Sequence, residues 1–235
     1  MSPATPTAVD PTLALERALL GRAPVVIGID EVGRGAIAGP VAVGACAIGA
    51  RELTAGFPAG LRDSKLLTAK RRVDVEPAAR AWVTAAGVGL CSATEIDEFG
   101  IIACLAAAAK RALAALHEVG VPVARAAIVL DGSHDWLSPA LEHPLDVSVR
   151  PKADRDCAVV SAASVIAKVE RDALMRSAHE SGEYADYAWH SNVGYGSPAH
   201  YAALAAHGAS SLHRRTWLRA AAAEQTAHPE RVVSA

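Results

Sequence analysis

Cysteine, aromatic side chains and long apolar runs are scarce in this sequence of 235 residues, and each shortage excludes a class of protein. No apolar run approaches the roughly 20 residues that a membrane-spanning helix needs. The first 20 residues lack the basic start and unbroken apolar centre of a signal peptide. We therefore expect a cytoplasmic protein that has no contact with a membrane.

The four cysteines lie far apart in the sequence. None forms a CxxC pair, and no histidine stands at the spacing of a zinc finger, so neither a disulfide framework nor a structural zinc site is indicated. We expect buried free thiols at all four positions, which are Cys46, Cys91, Cys104 and Cys157.

A formal charge of -2 lacks the strongly basic balance that is usual for a protein that binds phosphates. It does not exclude a nucleic-acid ligand, because carboxylates that hold cations can offset basic residues gathered on one face. The positions of the charges are therefore more informative than their sum.

Apolar and β-branched runs predict five strands, which are "PVVIGID", "PVAVGACAIG", "VTAAGVGLCS", "RAAIVLDG" and "LDVSVRP". A helix between the third and fourth runs indicates an α/β fold. The length suits one domain with a small appendage. We predict a lead-in with a short helix over residues 1–22, a catalytic domain over 23–197, and a helical C-terminal part of the same domain over 198–235.

Helical patterns fill the segments between and after these strands. A helix interrupted at Pro77 follows "DSKLL", and a long one should begin at a capping signal at Thr94 and end at Gly120. From Asp154 another long helix is predicted, with a polar stripe that includes Ser161, Ser164 and Lys168, and a last helix opens at Pro198. The buried stripe of the helix that follows Asp154 should comprise Ala158, Ala162, Val165, Val169 and Ala173.

Acidic residues stand where the predicted elements begin or end. Asp30 and Asp131 end the first and fourth strands, Glu31 follows Asp30, and Asp154 begins a helix. Ligand sites of open α/β sheets lie outside the carboxyl ends of strands. Each acid alone could be a turn residue or a helix cap, but a cluster of them needs cations between the carboxylates. Oxygen-only ligands favour Mg²⁺ or Mn²⁺, and a pair of such ions is a known device for phosphodiester cleavage.

Six motifs in order make the chain resemble the bacterial ribonuclease HII family, the type 2 ribonucleases H. They are "GIDEVGRGAIAGPV", "DSKLL", "LDGSHD", "SAASVIAKVERD", "GYGSPAH" and "HRRTW", and the resemblance covers roughly residues 24–218. It implies an RNase H-like fold with a mixed five-stranded central sheet, flanking helices and a helical C-terminal appendage. It also implies metal-dependent cleavage of the RNA strand of RNA–DNA hybrids, and cleavage 5′ of single ribonucleotides in duplex DNA, leaving a 3′-hydroxyl and a 5′-phosphate.

The family's four metal-binding and catalytic carboxylates correspond to Asp30, Glu31, Asp131 and Asp154, with two Mn²⁺ or Mg²⁺ ions bound during catalysis. Asp156 competes for the last place, but Asp154 stands seven residues before Ser161, as the family pattern requires. Ala153 replaces the glycine that usually precedes this acid.

The same resemblance implies the substrate-binding residues. The "GRG" loop, residues Gly33, Arg34 and Gly35, is similar to the element that senses the ribose 2′-hydroxyl, and Tyr195 matches a tyrosine that stacks near the nucleotide beside the ribonucleotide. For three further side chains a contact with phosphate, an orienting role toward the carboxylates and a purely structural role all stay open: Lys65, Ser164 and Lys168. Basic patches are expected from "RPKADR" and "HRRTWLR".

Two other functions stay open. A ribonuclease HIII-type enzyme would share the chemistry but need runs of ribonucleotides, and that group usually lacks the arginine of "GRG". A non-catalytic protein that binds RNA–DNA hybrids would have little reason to keep four acids. We expect a monomeric enzyme that acts on hybrids and on ribonucleotide-containing duplex DNA, in ribonucleotide removal and RNA primer removal.

Overall fold

A computed structural model describes residues 10–218 of the chain. Its centre is a five-stranded sheet in the order β3-β2-β1-β4-β5, which confirms the predicted mixed sheet. Strand β1 pairs antiparallel with β2 and parallel with β4, and the outer strands β3 and β5 pair antiparallel and parallel respectively. The strands are β1 Val26–Val32, β2 Val41–Ile48, β3 Ala85–Cys91, β4 Ala127–Asp131 and β5 Asp146–Arg150.

Helices cover both faces of this sheet, with α5 against β2 and β3 on one face and α7 against β1 and β2 on the other. None of the described helices is long and apolar enough to cross a membrane. The helices are α1 Ala14–Leu20, α2 Ala50–Ala55, α3 Ala69–Trp82, α4 Ala93–Phe99, α5 Ile101–Glu118, α6 Ala153–Asp156, α7 Ala158–Glu180, α8 Trp189–Asn192 and α9 Pro198–His207.

Glycines let the two long helices lie close to the sheet. A Cβ atom at Gly89 of β3 would stand 1.9 Å from the carbonyl oxygen of Ala108 in α5. On the other face, a Cβ atom at Gly44 of β2 would stand 2.4 Å from the carbonyl oxygen of Ala163 in α7. Strands β1 and β2 are buried along almost their whole length, as expected for central strands covered on both faces.

Two helices predicted as continuous are each broken into a short and a long piece. Gly100, with a φ of +79°, separates α4 from α5, and Ser92 rather than Thr94 caps α4, with its hydroxyl accepting from the backbone N–H of Glu95. Cys157 is extended and separates α6 from α7. The predicted continuity of the two helices was therefore wrong, although the helical segments themselves are confirmed.

Pro77 lies inside helix α3 and does not interrupt it, contrary to the prediction. The residue four positions earlier, Val73, is exposed, so water can satisfy the carbonyl that a proline cannot bond. In helix α7 the predicted buried stripe fails at its end, because Ala173 is exposed and Val169 is only partly buried. The apolar sheet lies against the first half of α7, which accounts for this limit.

All four cysteines are free and buried, as predicted. Helix α9 begins at Pro198 and is capped by Ser197, whose hydroxyl accepts from the backbone N–H of His200. The division of the chain at residues 22 and 197 stays a prediction, and its outer parts, residues 1–9 and 219–235, lie outside the described residues.

Candidate active site

The parallel pairing of β1 with β4 brings the first two acids together. Ile29 stands beside Leu130 in the register, so the following residues, Asp30 and Asp131, lie on neighbouring strands at the same edge. Asp131 ends β4 as predicted, whereas β1 continues through Asp30 to Val32. The prediction that the first strand stops at Asp30 was therefore wrong.

A pocket of about 220 Å³ opens at this edge of the sheet. Every predicted site residue except Asp154 and Ser164 lines it. A larger groove, about 580 Å³, runs beside the start of α3, but Asp74 is the only acid along it, so we place the chemistry in the smaller pocket. The smaller pocket is lined by Asp30, Glu31, Val32, Gly33, Arg34, Gly35, Ser64, Lys65, Asp131, Lys168 and Tyr195.

Asp154 is buried in the short helix α6, next to Asp131. Its backbone N–H donates to Oδ1 of Asp131 at 3.3 Å, and its own Oδ2 accepts from Nζ of Lys65 at 3.1 Å. Asp156, the competing candidate, is exposed and pairs with Arg150 at 3.0 Å instead. The geometry therefore groups Asp154, and not Asp156, with the acids of the pocket.

Burial makes these carboxylates hard to ionise without cations. Asp30 is 2% exposed, and its pKa is raised well above the usual range, first by burial and then by the charges of Asp131 and Glu31. Burial, followed by the neighbouring Asp154, also raises the pKa of Asp131. Burial raises the pKa of Glu31, against the hydrogen bond and charge of Arg34.

One carboxylate oxygen is left without a partner. Oδ1 of Asp30 accepts from the backbone N–H of Glu31 at 2.8 Å, whereas the buried Oδ2 has no hydrogen-bond partner among the described residues. A buried oxygen of this kind is costly unless a cation or donor reaches it. An all-oxygen donor set of acids suits a hard divalent cation. Over residues 10–218, no three His, Cys, Asp or Glu side chains are arranged, as they stand, so that they could hold a metal ion.

Two side-chain cations lie next to these acids. Lys65 bonds Asp154, and Nη1 of Arg34 lies 3.3 Å from Oε1 of Glu31. The pKa of Lys65 is raised because the nearby carboxylates, Asp30 first, outweigh the effect of burial.

The "GRG" loop leaves β1 with a left-handed turn. Gly33 has a φ of +79°, and a Cβ atom there would stand 2.0 Å from Nε of Arg171, so no larger residue fits without a shift of that guanidinium. Gly35 has neither constraint. The Arg34 side chain is about half exposed at the rim of the pocket.

Tyr195 reaches the same pocket from the loop after α8. Its ring centroid lies 5.2 Å from Nζ of Lys168 and 5.3 Å from Cζ of Arg171. Asn192 holds the loop, since its Oδ1 accepts from the backbone N–H of Gly194 at 2.9 Å. The tyrosine is thus fixed between a loop and two cations, with one part of its surface open to the pocket.

Ser164 and Lys168 lie on the face of α7 behind the pocket. Ser164 is fully buried and donates to the hydroxyl of Ser64 at 2.9 Å. Lys168 donates to Asp172 at 2.6 Å, and burial lowers its pKa. These contacts suit an orienting role for Ser164, whereas Lys168 also lines the pocket itself.

The basic patch predicted at "HRRTWLR" is smaller than expected in the described residues, where Arg215 is its only exposed arginine. In "HRRTWLR", Arg214 is fully buried and donates to backbone carbonyls, and Arg219 lies outside the described residues. In "RPKADR", Arg150 pairs with Asp156. Sequence reasoning did not single out Arg171 and Arg214, two buried arginines beside the "GRG" loop, although both stand inside motifs that carry the resemblance, "SAASVIAKVERD" and "HRRTW".

Comparisons with known proteins match most of the chain. The sequence model of the family Ribonuclease HII matches residues 27–220. A ribonuclease HII from Streptomyces avermitilis is 46% identical over 226 residues, which are 95% of this chain and 91% of that protein.

Solved structures are similar as well. The crystal structure of ribonuclease H2 from Pyrococcus horikoshii superposes with a TM-score of 0.67 at 26% identity, covering 86% of this chain and 98% of that one. Bst-RNase HIII in complex with Mn²⁺ is also similar, with a TM-score of 0.56 at 26% identity over 72% of this chain and 58% of that one.

Proposed function

Because the chain belongs to the ribonuclease HII family, the endoribonucleases of ribonuclease H type 2, we propose that it cuts duplex DNA on the 5′ side of a single embedded ribonucleotide. This activity adds to the cleavage of RNA–DNA hybrids that the family supports, and it leaves a 3′-hydroxyl and a 5′-phosphate. One observation carries the proposal, namely that three of the four acids, the "GRG" loop and Tyr195 line one pocket. We further propose a monomeric, cytoplasmic enzyme that acts in ribonucleotide removal and RNA primer removal.

Four carboxylates would hold two Mg²⁺ or Mn²⁺ ions, and the unpartnered buried oxygen of Asp30 supports this assignment. The Mn²⁺ in Bst-RNase HIII supports it from a similar structure. Bound ions of this kind activate the attacking water and stabilise the leaving oxygen of a phosphodiester. The four residues are Asp30, Glu31, Asp131 and Asp154.

The chain's other residues bind and orient the substrate. Lys65, held by Asp154, is close enough to the acids to balance their charge before the substrate phosphate arrives. Arg34 at the rim can bind a phosphate with its planar guanidinium. Only the 2′-hydroxyl distinguishes one ribonucleotide from its DNA neighbours, and the loop around Gly33 brings backbone groups near it while Tyr195 stacks beside the nucleotide.

The direct test is an end-labelled DNA duplex that contains one ribonucleotide, with an all-DNA duplex and a long RNA–DNA hybrid as comparisons. We expect one cut 5′ of the ribonucleotide with Mg²⁺ or Mn²⁺, and none in the all-DNA duplex. A protein that cuts only the hybrid would be of the ribonuclease HIII type. A protein that binds the hybrid but cuts nothing would support the non-catalytic alternative.

The acids are tested by Asp131→Asn, which should abolish cleavage and leave the circular dichroism spectrum unchanged. Asp156→Asn is the matched control, because this acid is nearby in the sequence but exposed and paired with Arg150. Normal cleavage by the first variant would show that Asp131 is not a ligand.

The ribose-sensing role is tested by Arg34→Ala, with the single-ribonucleotide duplex and the long hybrid compared under the same conditions. We expect cleavage of the single-ribonucleotide duplex to fall more than cleavage of the hybrid. An unchanged ratio of the two rates would contradict this role.

A further inference from the structure

Arg214 holds the "GRG" loop from inside the protein. This side chain is fully buried and donates three hydrogen bonds to loop carbonyl oxygens: Nη2 to Gly33 at 2.7 Å, Nη1 to Arg34 at 2.8 Å and Nε to Gly39 at 3.1 Å. Its backbone N–H donates to the carbonyl oxygen of Ile37 at 3.0 Å. A residue 180 positions later in the chain therefore fixes the loop.

These bonds also fix where the loop's N–H groups point. Every peptide bond in the described residues is trans, and in a trans peptide the C=O and the following N–H point in opposite directions. Since the carbonyls of Gly33 and Arg34 point inward to Arg214, the N–H groups of Arg34 and Gly35 point away from the interior. Among residues 10–218 neither N–H has a hydrogen-bond acceptor, and both residues line the pocket.

An arginine suits this task better than any other side chain. Its planar guanidinium offers donors in a fixed fork, so it can orient several carbonyls at once. Burial lowers the pKa of Arg214 to about 10, which leaves it protonated at neutral pH. No carboxylate forms an ion pair with it in the described part of the chain, so the loop carbonyls compensate its charge.

A second buried arginine holds the neighbouring part of the loop. Arg171 donates to the carbonyl oxygens of Pro40 at 3.0 Å, Ala38 at 3.1 Å and Val193 at 2.7 Å. It thereby ties the far end of the loop to the segment before Tyr195, but it bonds none of the carbonyls of residues 33–35. Both arginines therefore hold the far end of the loop, but only Arg214 holds the carbonyls of Gly33 and Arg34.

We propose that Arg214 is a positioning residue for ribose recognition: its guanidinium turns the peptides after Gly33 and Arg34 so that two backbone N–H groups face the substrate. These N–H groups donate to oxygens of the ribonucleotide and its phosphate. The inference rests on the proposed function, and it names the device that makes the loop rigid enough to sense one hydroxyl.

The test compares Arg214→Lys with Arg171→Lys, the same substitution at the other fully buried arginine. Binding to a duplex with one ribonucleotide and to the matching all-DNA duplex is measured by fluorescence anisotropy in Ca²⁺, which serves as a probe that does not support cleavage, with thermal melting of each variant alongside. We expect the preference of Arg214→Lys for the ribonucleotide to fall about tenfold, the value of one or two hydrogen bonds. Arg171→Lys should retain more of that preference at a similar melting temperature.

Equal losses in the two variants would show a general loosening of the loop and would overturn the proposal, as would an unchanged preference in Arg214→Lys. If the wild type itself shows no preference for the ribonucleotide, the proposed function fails, which is a distinguishable result.

A second measurement needs no variant. In ¹⁵N-labelled wild-type protein, the amides of Arg34 and Gly35 should shift further downfield and exchange more slowly with the ribonucleotide duplex bound than with the all-DNA duplex bound. Identical shifts with both duplexes would overturn the proposal even if Arg214→Lys does not fold.

Discussion

Asp30→Asn should stabilise the metal-free protein while it abolishes cleavage. Asp30 is 2% exposed, one of its oxygens has no partner among the described residues, and Asp131 and Glu31 add negative charge beside it. An amide of the same shape removes the buried charge and can donate to a neighbouring carboxylate. The site is therefore a place where function opposes stability.

The expected gain in stability follows from the buried oxygen of Asp30 that has no hydrogen-bond partner among the described residues. A buried polar group without a partner costs about 1–3 kcal/mol, and more when it is charged. We therefore expect the free energy of unfolding in EDTA at neutral pH to rise by about 1–3 kcal/mol. For a chain of this length each kcal/mol shifts the melting temperature by about 2–4 °C.

The stability difference between Asp30→Asn and the wild type should depend on pH, and the pKa shift of Asp30 gives the direction. Burial raises the pKa of Asp30 in the folded state above the usual 3.8, so the folded protein holds this proton more tightly than the unfolded chain. Its ionisation therefore costs stability as the pH rises from about 4 through the raised value. The advantage of the variant should grow over that interval and vanish at lower pH, where wild-type Asp30 is protonated.

Urea unfolding in EDTA across this pH range, repeated with Mn²⁺, gives the measurement. Mn²⁺ should stabilise the wild type more than the variant, because a ligand that binds only the folded state adds to its stability. Asp156→Asn, at an exposed acid, is the control and should differ little from the wild type. A variant less stable than the wild type at neutral pH in EDTA would refute the reasoning.

Three further predictions concern residues outside the group of four acids. Gly89→Ala should lower the free energy of unfolding by about 1–3 kcal/mol, because its Cβ would stand 1.9 Å from a backbone oxygen of α5; an unchanged urea midpoint would contradict this. Gly33→Ala should reduce cleavage and melting temperature more than Gly35→Ala, since only the former has a positive φ and meets a buried guanidinium. Burial, together with a neighbouring histidine, lowers the pKa of His213 to about 4, so stability should fall as the pH drops from about 6.5 toward 4. Urea unfolding of His213→Asn should show a weaker fall over that interval.

The sheet and the grouping of its acids could be predicted because their signals are local. Apolar runs marked the five strands, and the rule that ligand sites lie at the carboxyl ends of strands pointed to Asp30 and Asp131, which stand on neighbouring parallel strands. The roles assigned to Lys65, Arg34 and Tyr195 stay predictions, although all three line the pocket. The resemblance supplied these residues, since their spacing along the chain gave no indication of proximity.

The break between α6 and α7 could not be predicted, because a distant segment causes it. Thr12, near the N-terminus, donates its backbone N–H to the carbonyl of Asp156 at 3.0 Å and accepts from the N–H of Ala158 at 3.1 Å. This pairing holds Cys157 extended. Glu16 then accepts from the backbone N–H of Val159, so the start of α7 is completed by a side chain 143 residues earlier in the sequence.

A similar long-range arrangement explains why net charge says little about this site. Asp172, 2% exposed, lies within 4 Å of four cations on two helices: Lys168 at 2.6 Å, Arg171 at 3.7 Å, Arg72 at 3.8 Å and Arg176 at 3.9 Å. Arg72 also donates to the carbonyl oxygens on both sides of the turn that carries the site lysine. Asp172 therefore connects that turn with Lys168 at the pocket and with Arg171 beneath Gly33. Removing it would leave buried cations without their counter-ion, which is strongly destabilising. Buried acids and cations that pair with each other cancel in the formal net charge. A net charge of -2 is therefore compatible with a site for a polyanion.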